Sequence, residues 1–432
     1  MLIPAVLIRC TFMLVIAVAV CTSASAENWQ NWRGPRGDGS STDTQLPMKW
    51  DGETGHNVSW KTPLPGTGHS SPVVWGDRIF VTSCIDDVDS RVLICLDRKS
   101  GEVVWQKEVL NAKLESKHAL NSYASSTPAT DGNLVYIAFL EINDEQVVAP
   151  KVGKKRMIYN GKMVVAAYDF DGNEKWVVRP GKFLSAHGFC SNPVLFEDKV
   201  IINGDHDGNS YLVALDKQTG EEIWKTPRRH QTRSYVTPII REIENEPLMV
   251  LSGSLCVAAY DPRTGQRKWN VEGPTEQFVA SMVYDGKHFF AVGGFPTHHV
   301  MAIRPNGHGD VTESHVAWHE TNVRCYVPSP VVVDDFLLVA DDRGTANCFD
   351  TKTGKRHWQT RLGNHYSASL VTAAGLVYFL SDDGVTKILR PGTEADVIQE
   401  NKLGEKAYAS PAISDGQIFI RGKENLFCIA KP

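Results

Sequence analysis

The chain has 432 residues, with 45 Lys and Arg against 50 Asp and Glu and a formal net charge of −5. It carries no basic tail or long basic block, which argues against nucleic acid as a partner. Beyond its first residues no stretch approaches the ~18 apolar residues of a membrane span, so the processed chain is expected to be soluble.

Residues 2–21 are largely apolar, broken by Arg9, and "ASA" (Ala24–Ala26) has the small-x-small pattern of a signal-peptidase site. This reads as a secretory signal over residues 1–26, cleaved before Glu27, and implies export to the periplasm or the extracellular space. Val20 stands where lipoprotein signals carry a small residue, which argues against lipidation at Cys21. Of nine cysteines, Cys10 and Cys21 fall in the signal, and the odd number left cannot complete a disulfide framework. An extension over 27–56 follows, containing "NWQNWRGPRGDGSS" (Asn28–Ser41), and is expected to lie across one face of the folded body.

The next piece is "NVSWKTPL" (Asn57–Leu64), a strand with Trp60 and no partner nearby in sequence. From there a unit repeats. Each copy opens on a small or polar residue and Pro and runs through short apolar segments separated by Asp-Gly, Gly-Asp or Asn-Gly turns. The openings are at Ser70, Ser126, Ser191, Val236, Ala280, Pro328, Ser367 and Ala409. Four copies close on one ten-residue motif: "LDRKSGEVVW" (Leu96–Trp105), "LDKQTGEEIW" (Leu215–Trp224), "YDPRTGQRKW" (Tyr260–Trp269) and "FDTKTGKRHW" (Phe349–Trp358).

Asp and Thr or Ser bond local backbone in a turn, Gly takes the conformation other residues resist, and Trp buries a large face between neighbouring units. The Trp residues recur about every 45 residues, the period of a four-stranded propeller blade. The long gap from Trp105 to Trp176 localises an insertion at roughly Glu141 to Asn160, which includes the basic run Lys151–Arg156. Unit seven has no Trp, and Val397 lies about where it belongs. Cys95, Cys348 and Cys428 share one slot with Ala167, Ala214 and Ala259, a small buried strand position.

Unit eight ends after three strands. One blade lacks a strand and Asn57–Leu64 lacks a blade, so the expected fold is an all-β, eight-bladed β-propeller of four-stranded blades over 57–432, its last blade closed by the N-terminal strand.

These motifs and this closure resemble the pyrroloquinoline-quinone (PQQ) repeat β-propeller family over about residues 57–432. The resemblance implies one of two functions. One is a non-catalytic binding or assembly scaffold of the cell envelope, without cofactor. The alternative is a PQQ-dependent periplasmic alcohol or sugar dehydrogenase of reduced type, with PQQ and Ca²⁺. The dehydrogenases use adjacent cysteines, calcium ligands and an Asp base. This chain has no adjacent Cys pair, and the scaffold is the reading adopted.

Other constellations are weak. "DHDGNS" (Asp205–Ser210) has alternate oxygen ligands but no bidentate Glu at calcium-loop spacing, and reads as a polar hairpin turn. "THH" (Thr297–His299) puts adjacent histidines on opposite faces of a strand. One pattern stands out. Before the innermost strands lie His187 and Phe189, Arg233 and Tyr235, Arg324 and Tyr326, His365 and Tyr366, and Lys406 and Tyr408. These loops are expected at one mouth of the central channel, where cations beside aromatic walls suit an anionic ligand or an acidic protein segment. Arg233 and Arg324 are expected to supply paired donors to a carboxylate, and His187 and His365 to weaken binding as pH rises through ~6.5. The competing expectation is that the aromatics pack between blades.

Overall fold

The computed structural model describes residues 27–149 and 156–431. The secretory signal read over 1–26, and all of the basic run but Arg156, lie outside the described residues. Eight sheets of antiparallel strands follow one another, each built outward in chain order but for the outer strand of the last and one parallel strand added to the fourth, so the structure is an eight-bladed propeller. The inner strands begin with Val73–Trp75 in blade 1 and end with Ala412–Ser414 in blade 8. Inner strands of neighbouring blades touch, Val73–Trp75 lying against both Ala412–Ser414 and Ala129–Thr130, and so they surround a channel. Alternating strand direction gives two unlike faces. A turn face carries the first-to-second and third-to-fourth strand turns. A loop face carries the second-to-third turns and the loops that cross from one blade to the next.

Closure is as the sequence implies. Val58–Pro63 is the outer strand of blade 8, with Trp60 opposite Cys428 and Thr62 opposite Leu426. The long gap in unit two is no loose loop among the described residues. It lengthens the middle strands of blade 2, Leu134–Val148 and Met157–Asp169, into a hairpin that projects from the loop face. Blade 4 gains a fifth strand, Gly309–Asp310, which pairs parallel to Arg267–Glu272 and covers that open edge.

The ten-residue motif serves two blades at once. Within its own turn, Asp97 Oδ1 accepts the amides of Lys99 (3.0 Å) and Ser100 (2.9 Å), and the Gly101 amide donates back to the Asp97 carbonyl (2.9 Å). Across the boundary, the indole of the preceding blade's Trp60 donates to the Arg98 carbonyl at 2.9 Å. A Cβ on Gly101 would lie 2.5 Å from that indole, and Gly265 and Gly354 stand in the same way against Trp224 and Trp318. The glycine is therefore required twice, for its positive φ and for the neighbour's Trp.

The small slot faces the same Trp. Cys95, Ala167, Ala214, Ala259, Ala302, Cys348 and Cys428 each pair with an outer-strand Trp. In blade 7 the register puts Gln399, not Val397, at the Trp position. There the slot residue is Ile388, whose larger side chain stands where a small residue otherwise faces an indole.

A belt of hydrogen bonds holds the inner strands together. The residue before each opening Pro, or its equivalent, bonds to the matching side chain of the next blade. The links run from Ser71 to Thr127, Asn192, Thr237, Ser281, Ser329, Ser369 and Ser410, with distances of 2.6 to 3.0 Å. At the seam between blades 8 and 1, the buried Arg421 guanidinium donates to Ser70 Oγ (2.7 Å) and the Thr82 carbonyl (2.6 Å).

The N-terminal extension does more than lie on a face. Trp29 exchanges backbone hydrogen bonds with Val74, the Thr130 amide donates to Gln30, and Gly39 and Ser41 bracket Thr372. Ser414 Oγ donates to the Glu27 carbonyl at 2.6 Å, and Arg241 bonds Asp38 at 2.8 Å. These partners sit on the inner strands of blades 1, 2, 7, 8 and 4. Trp29 and Arg33 are buried among them. The segment therefore plugs the turn-face end of the channel.

Candidate functional site

The plug leaves the loop-face mouth as the approach to the channel. Two residues before each member of the hydrogen-bonded belt lies one position that is half-buried in all eight blades, while the residue after it is buried in all eight. These positions are His69, Ser125, Cys190, Tyr235, Val279, Val327, Ser367 and Tyr408. All eight lie in the loops that enter the inner strands, just before the chain becomes fully buried in the belt. Neighbouring members meet, with the His69 and Tyr408 rings 4.8 Å apart and Cys190 Sγ 3.9 Å from the Tyr235 carbonyl.

The residues singled out in the sequence divide by this register. Tyr235 and Tyr408 fall in this half-buried register, the Tyr235 hydroxyl itself being buried. Phe189 and Tyr366 fall one residue earlier and are buried, edge-on to Phe183 (5.0 Å) and Phe379 (6.1 Å), so they pack within and between blades. Tyr326 also falls one residue early, and its hydroxyl reaches Gln277 at 3.4 Å.

Arg233 is buried and bonded to Asp207 Oδ1 at 2.5 Å, so it does not stand free for a ligand. Arg324 and Lys406 are exposed, with no side-chain hydrogen bond or ion pair among the described residues. The arginines thus differ in kind, one an internal counterion and one a surface charge. His365 Nδ1 lies 2.7 Å from Asp382, which also accepts the Ser367 amide at 2.7 Å.

His187 lies 5.9 Å from His118, ring to ring, and its Nδ1 has no partner. Burial, helped by Arg233, brings His187 down to about 4, so its charge does not change near pH 6.5. Arg233 bears on His187, Tyr235 and Tyr326, so these four singled-out residues lie together. Burial drives the Tyr235 phenol well above its ordinary pKa, with Tyr326 adding to the shift. His69 and Cys190 escaped the sequence pattern because neither sits in a cation–aromatic pair. Counting back from the small residue before each Pro would have found them.

The "DHDGNS" turn holds no calcium loop. Asp205 is committed to Arg228 (2.9 Å) and Asp207 to Arg233. The same turn contains His206, whose Nδ1 accepts the Gly208 amide at 2.8 Å. Burial lowers His206 to about 4 against an upward pull from the Asn209 backbone, with a smaller downward push from Lys225. Its folded pKa lies below the unfolded one, so its contribution to stability is full above pH ~6.5 and lost as pH falls toward 4. Thermal melts from pH 7 to pH 4 should show the midpoint falling, and His206→Gln should flatten part of that slope. An equal slope in the variant would refute the assignment to His206.

A family model described as outer membrane protein assembly factor BamB matches residues 40–156, 145–294 and 297–390. The chain is similar to the outer membrane protein assembly factor BamB of Burkholderia pseudomallei (strain K96243), 20% identical over 351 residues, which is 74% of this chain and 84% of that protein. Among solved structures, BamB from Moraxella catarrhalis superposes with a TM-score of 0.60 at 13% identity, covering 86% of this chain and 99% of that one. A quinohemoprotein alcohol dehydrogenase, ADHIIG from Pseudomonas putida HK5, does so with a TM-score of 0.62 at 12% identity, covering 93% and 80%. An assembly factor and a dehydrogenase fit almost equally well, so these likenesses speak for the fold.

Proposed function

The chain belongs to the PQQ-repeat propeller family of the outer membrane protein assembly factor BamB, and from that premise we propose that it is a non-catalytic scaffold of the cell envelope, exported to the periplasm, that holds a partner protein on its loop face. The observation that carries this reading is where apolar surface is left bare. Among the described residues, the five most exposed large apolar ones, from Val88 at 57% to Phe295 at 50%, also include Leu120, Val148 and Met157. Val88 and Phe295 lie in second-to-third strand turns, Val148 and Met157 at the strand ends that flank another, and Leu120 in a loop between blades, so all five are on one face. Single exposed apolar residues are ordinary, and four less exposed ones, Val103, Val104, Ile223 and Val397, begin outer strands beside the turn face; the most exposed are on the loop face, and there we place the docking surface. No helix among the described residues is long and apolar enough to cross a membrane. The partner that fits is another protein of outer-membrane assembly, the role for which the relatives are named.

The dehydrogenase alternative needs a channel mouth able to hold calcium beneath a quinone. The eight half-buried channel residues include no carboxylate or amide, the donors a hard cation takes. Nearby, Asp342 and Asp382 are bonded to the amides of Val327 (2.9 Å) and Ser367 (2.7 Å). Among the described residues no group of three His, Cys, Asp or Glu is placed to hold a metal, and the seven cysteines are all unpaired. These residues do not fit calcium-bound PQQ.

A photo-crosslinking residue placed at Leu120 or Phe295 in living cells should trap one and the same envelope protein. The same residue at Ile223, beside the turn face, should not, and Phe295→Glu should abolish co-purification of that protein. Traps from Ile223 alone, or none from the loop face, would reject the docking surface.

A further inference from the structure

At the rim of the loop face, where blades 2 and 3 meet, the structure holds a cavity of about 740 Å³. Lys182, the last residue of blade 2's outer strand, and Lys225, from the outer strand of blade 3, both line it. The turn of blade 3 contributes His206, Asn209 and Tyr211, and the loop leaving that blade contributes Gln231. Two glycines make room for this arrangement. A Cβ on Gly181 would lie 2.6 Å from the Tyr211 hydroxyl and 2.8 Å from Lys225 Nζ, and one on Gly204 would lie 2.7 Å from the Tyr211 ring.

The polar chemistry of the cavity is one-sided. Tyr211 is 4% exposed and its hydroxyl has no partner. His206 is 2% exposed; its Nδ1 accepts backbone amides from Gly208 (2.8 Å) and Leu184 (3.3 Å), which leaves the proton on Nε2. That Nε2 makes no hydrogen bond of good geometry. Leaving buried polar atoms unmatched costs about 1–3 kcal/mol each, and two of them on one cavity wall call for an acceptor from outside.

The Lys225 ammonium stands 4.3 Å from the Tyr211 ring centroid, with its nearest carboxylate, Glu222, at 4.0 Å. It also donates to the Pro180 carbonyl. No lining side chain is acidic. Arg228, which also lines the cavity, is already neutralised by Asp205 at 2.9 Å and bonded to the Tyr260 hydroxyl at 2.6 Å.

We infer that this cavity binds a small anionic ligand, a carboxylate or phosphate carried on a hydroxylated body of roughly monosaccharide to disaccharide size. The anion takes the ammonium groups of Lys225 and Lys182, the Tyr211 hydroxyl and the His206 Nε2–H; the hydroxyls of the body take the amides of Asn209 and Gln231. The cations gathered at this rim, Lys182 and Lys225, are not those that the sequence suggested at the channel mouth.

Calorimetric titration of the full processed chain with glucuronate, glucose 6-phosphate and glucose tests this. One or both acids should bind saturably and glucose should not, and whichever acid binds separates carboxylate from phosphate. Lys225→Gln and Tyr211→Phe should each weaken binding about tenfold or more. Tyr211→Phe should leave the unfolding midpoint unchanged or higher, since it removes an unmatched buried hydroxyl. Lys182→Gln, at an exposed position, reports on binding should Lys225→Gln fail to fold. The inference is overturned if neither acid saturates by about 10 mM, if glucose binds equally well, or if the folded variants bind like wild type.

Discussion

Deletion of Asn57–Leu64 should make the propeller aggregation-prone, with the thermal midpoint lowered by about 10 °C or more. Val58–Pro63 is the outer strand of blade 8, and without it Asn425–Ile429 becomes a bare edge. An unpaired, apolar edge is a template for another chain. The deletion also removes Trp60, whose ring lies 6.0 Å from Phe419 and whose indole ties blade 8 to the Arg98 carbonyl of blade 1. Thr62 Oγ1 supplies a second tie, to the Gly101 carbonyl at 2.7 Å. Trp60 is only half-buried, so Trp60→Ala alone should cost less than the about 3–5 kcal/mol of a fully buried aromatic. Light scattering and thermal melts check both. A deletion variant that stays monomeric with an unchanged midpoint would mean the ring is closed elsewhere.

That closure was legible because it is a matter of counting. A three-stranded last unit and an unpartnered N-terminal strand have one economical solution, and each turn of the repeat names its own residues. What the sequence could not show was which side of a strand a residue takes when the register shifts by one. Tyr235 and Tyr366 look alike in sequence, each beside a cation and each before an inner strand. Tyr235 lies two residues before its belt residue Thr237 and is half-buried, whereas Tyr366 lies three before Ser369 and is buried against Phe379. With a period of two, one residue reverses the reading. The rim cavity was hidden for another reason. Lys182, His206 and Lys225 belong to different strands and turns, and only the packing of blade 3 on blade 2 brings them together. The Asp205–Ser210 turn drew attention for its carboxylates, yet both carboxylates are held by arginines and the cavity is lined by its His and Tyr.

The two readings of Arg233 lead to opposite expectations for one substitution. Were it a ligand-binding group held out into the channel, Arg233→Met would remove affinity and leave stability nearly untouched. In the structure its guanidinium is buried against Asp207 Oδ1, and Asp207, itself buried, takes only the Ala186 amide (3.3 Å) on its other oxygen. Removing one member of such a pair strands a charge in a medium that solvates it poorly, and typically costs about 3–5 kcal/mol. Arg233→Met should therefore lower unfolding stability by about that amount, measured by urea denaturation. The double variant Arg233→Met with Asp207→Asn should recover most of the loss, because no buried charge is then left without its partner. A coupling below about 0.5 kcal/mol, with the single variant as stable as wild type, would return Arg233 to the list of groups free to meet a ligand. Recovery in the double variant would instead fix it as the counterion that allows the acidic turn Asp205–Ser210 to fold into blade 3, beside the wall of the rim cavity.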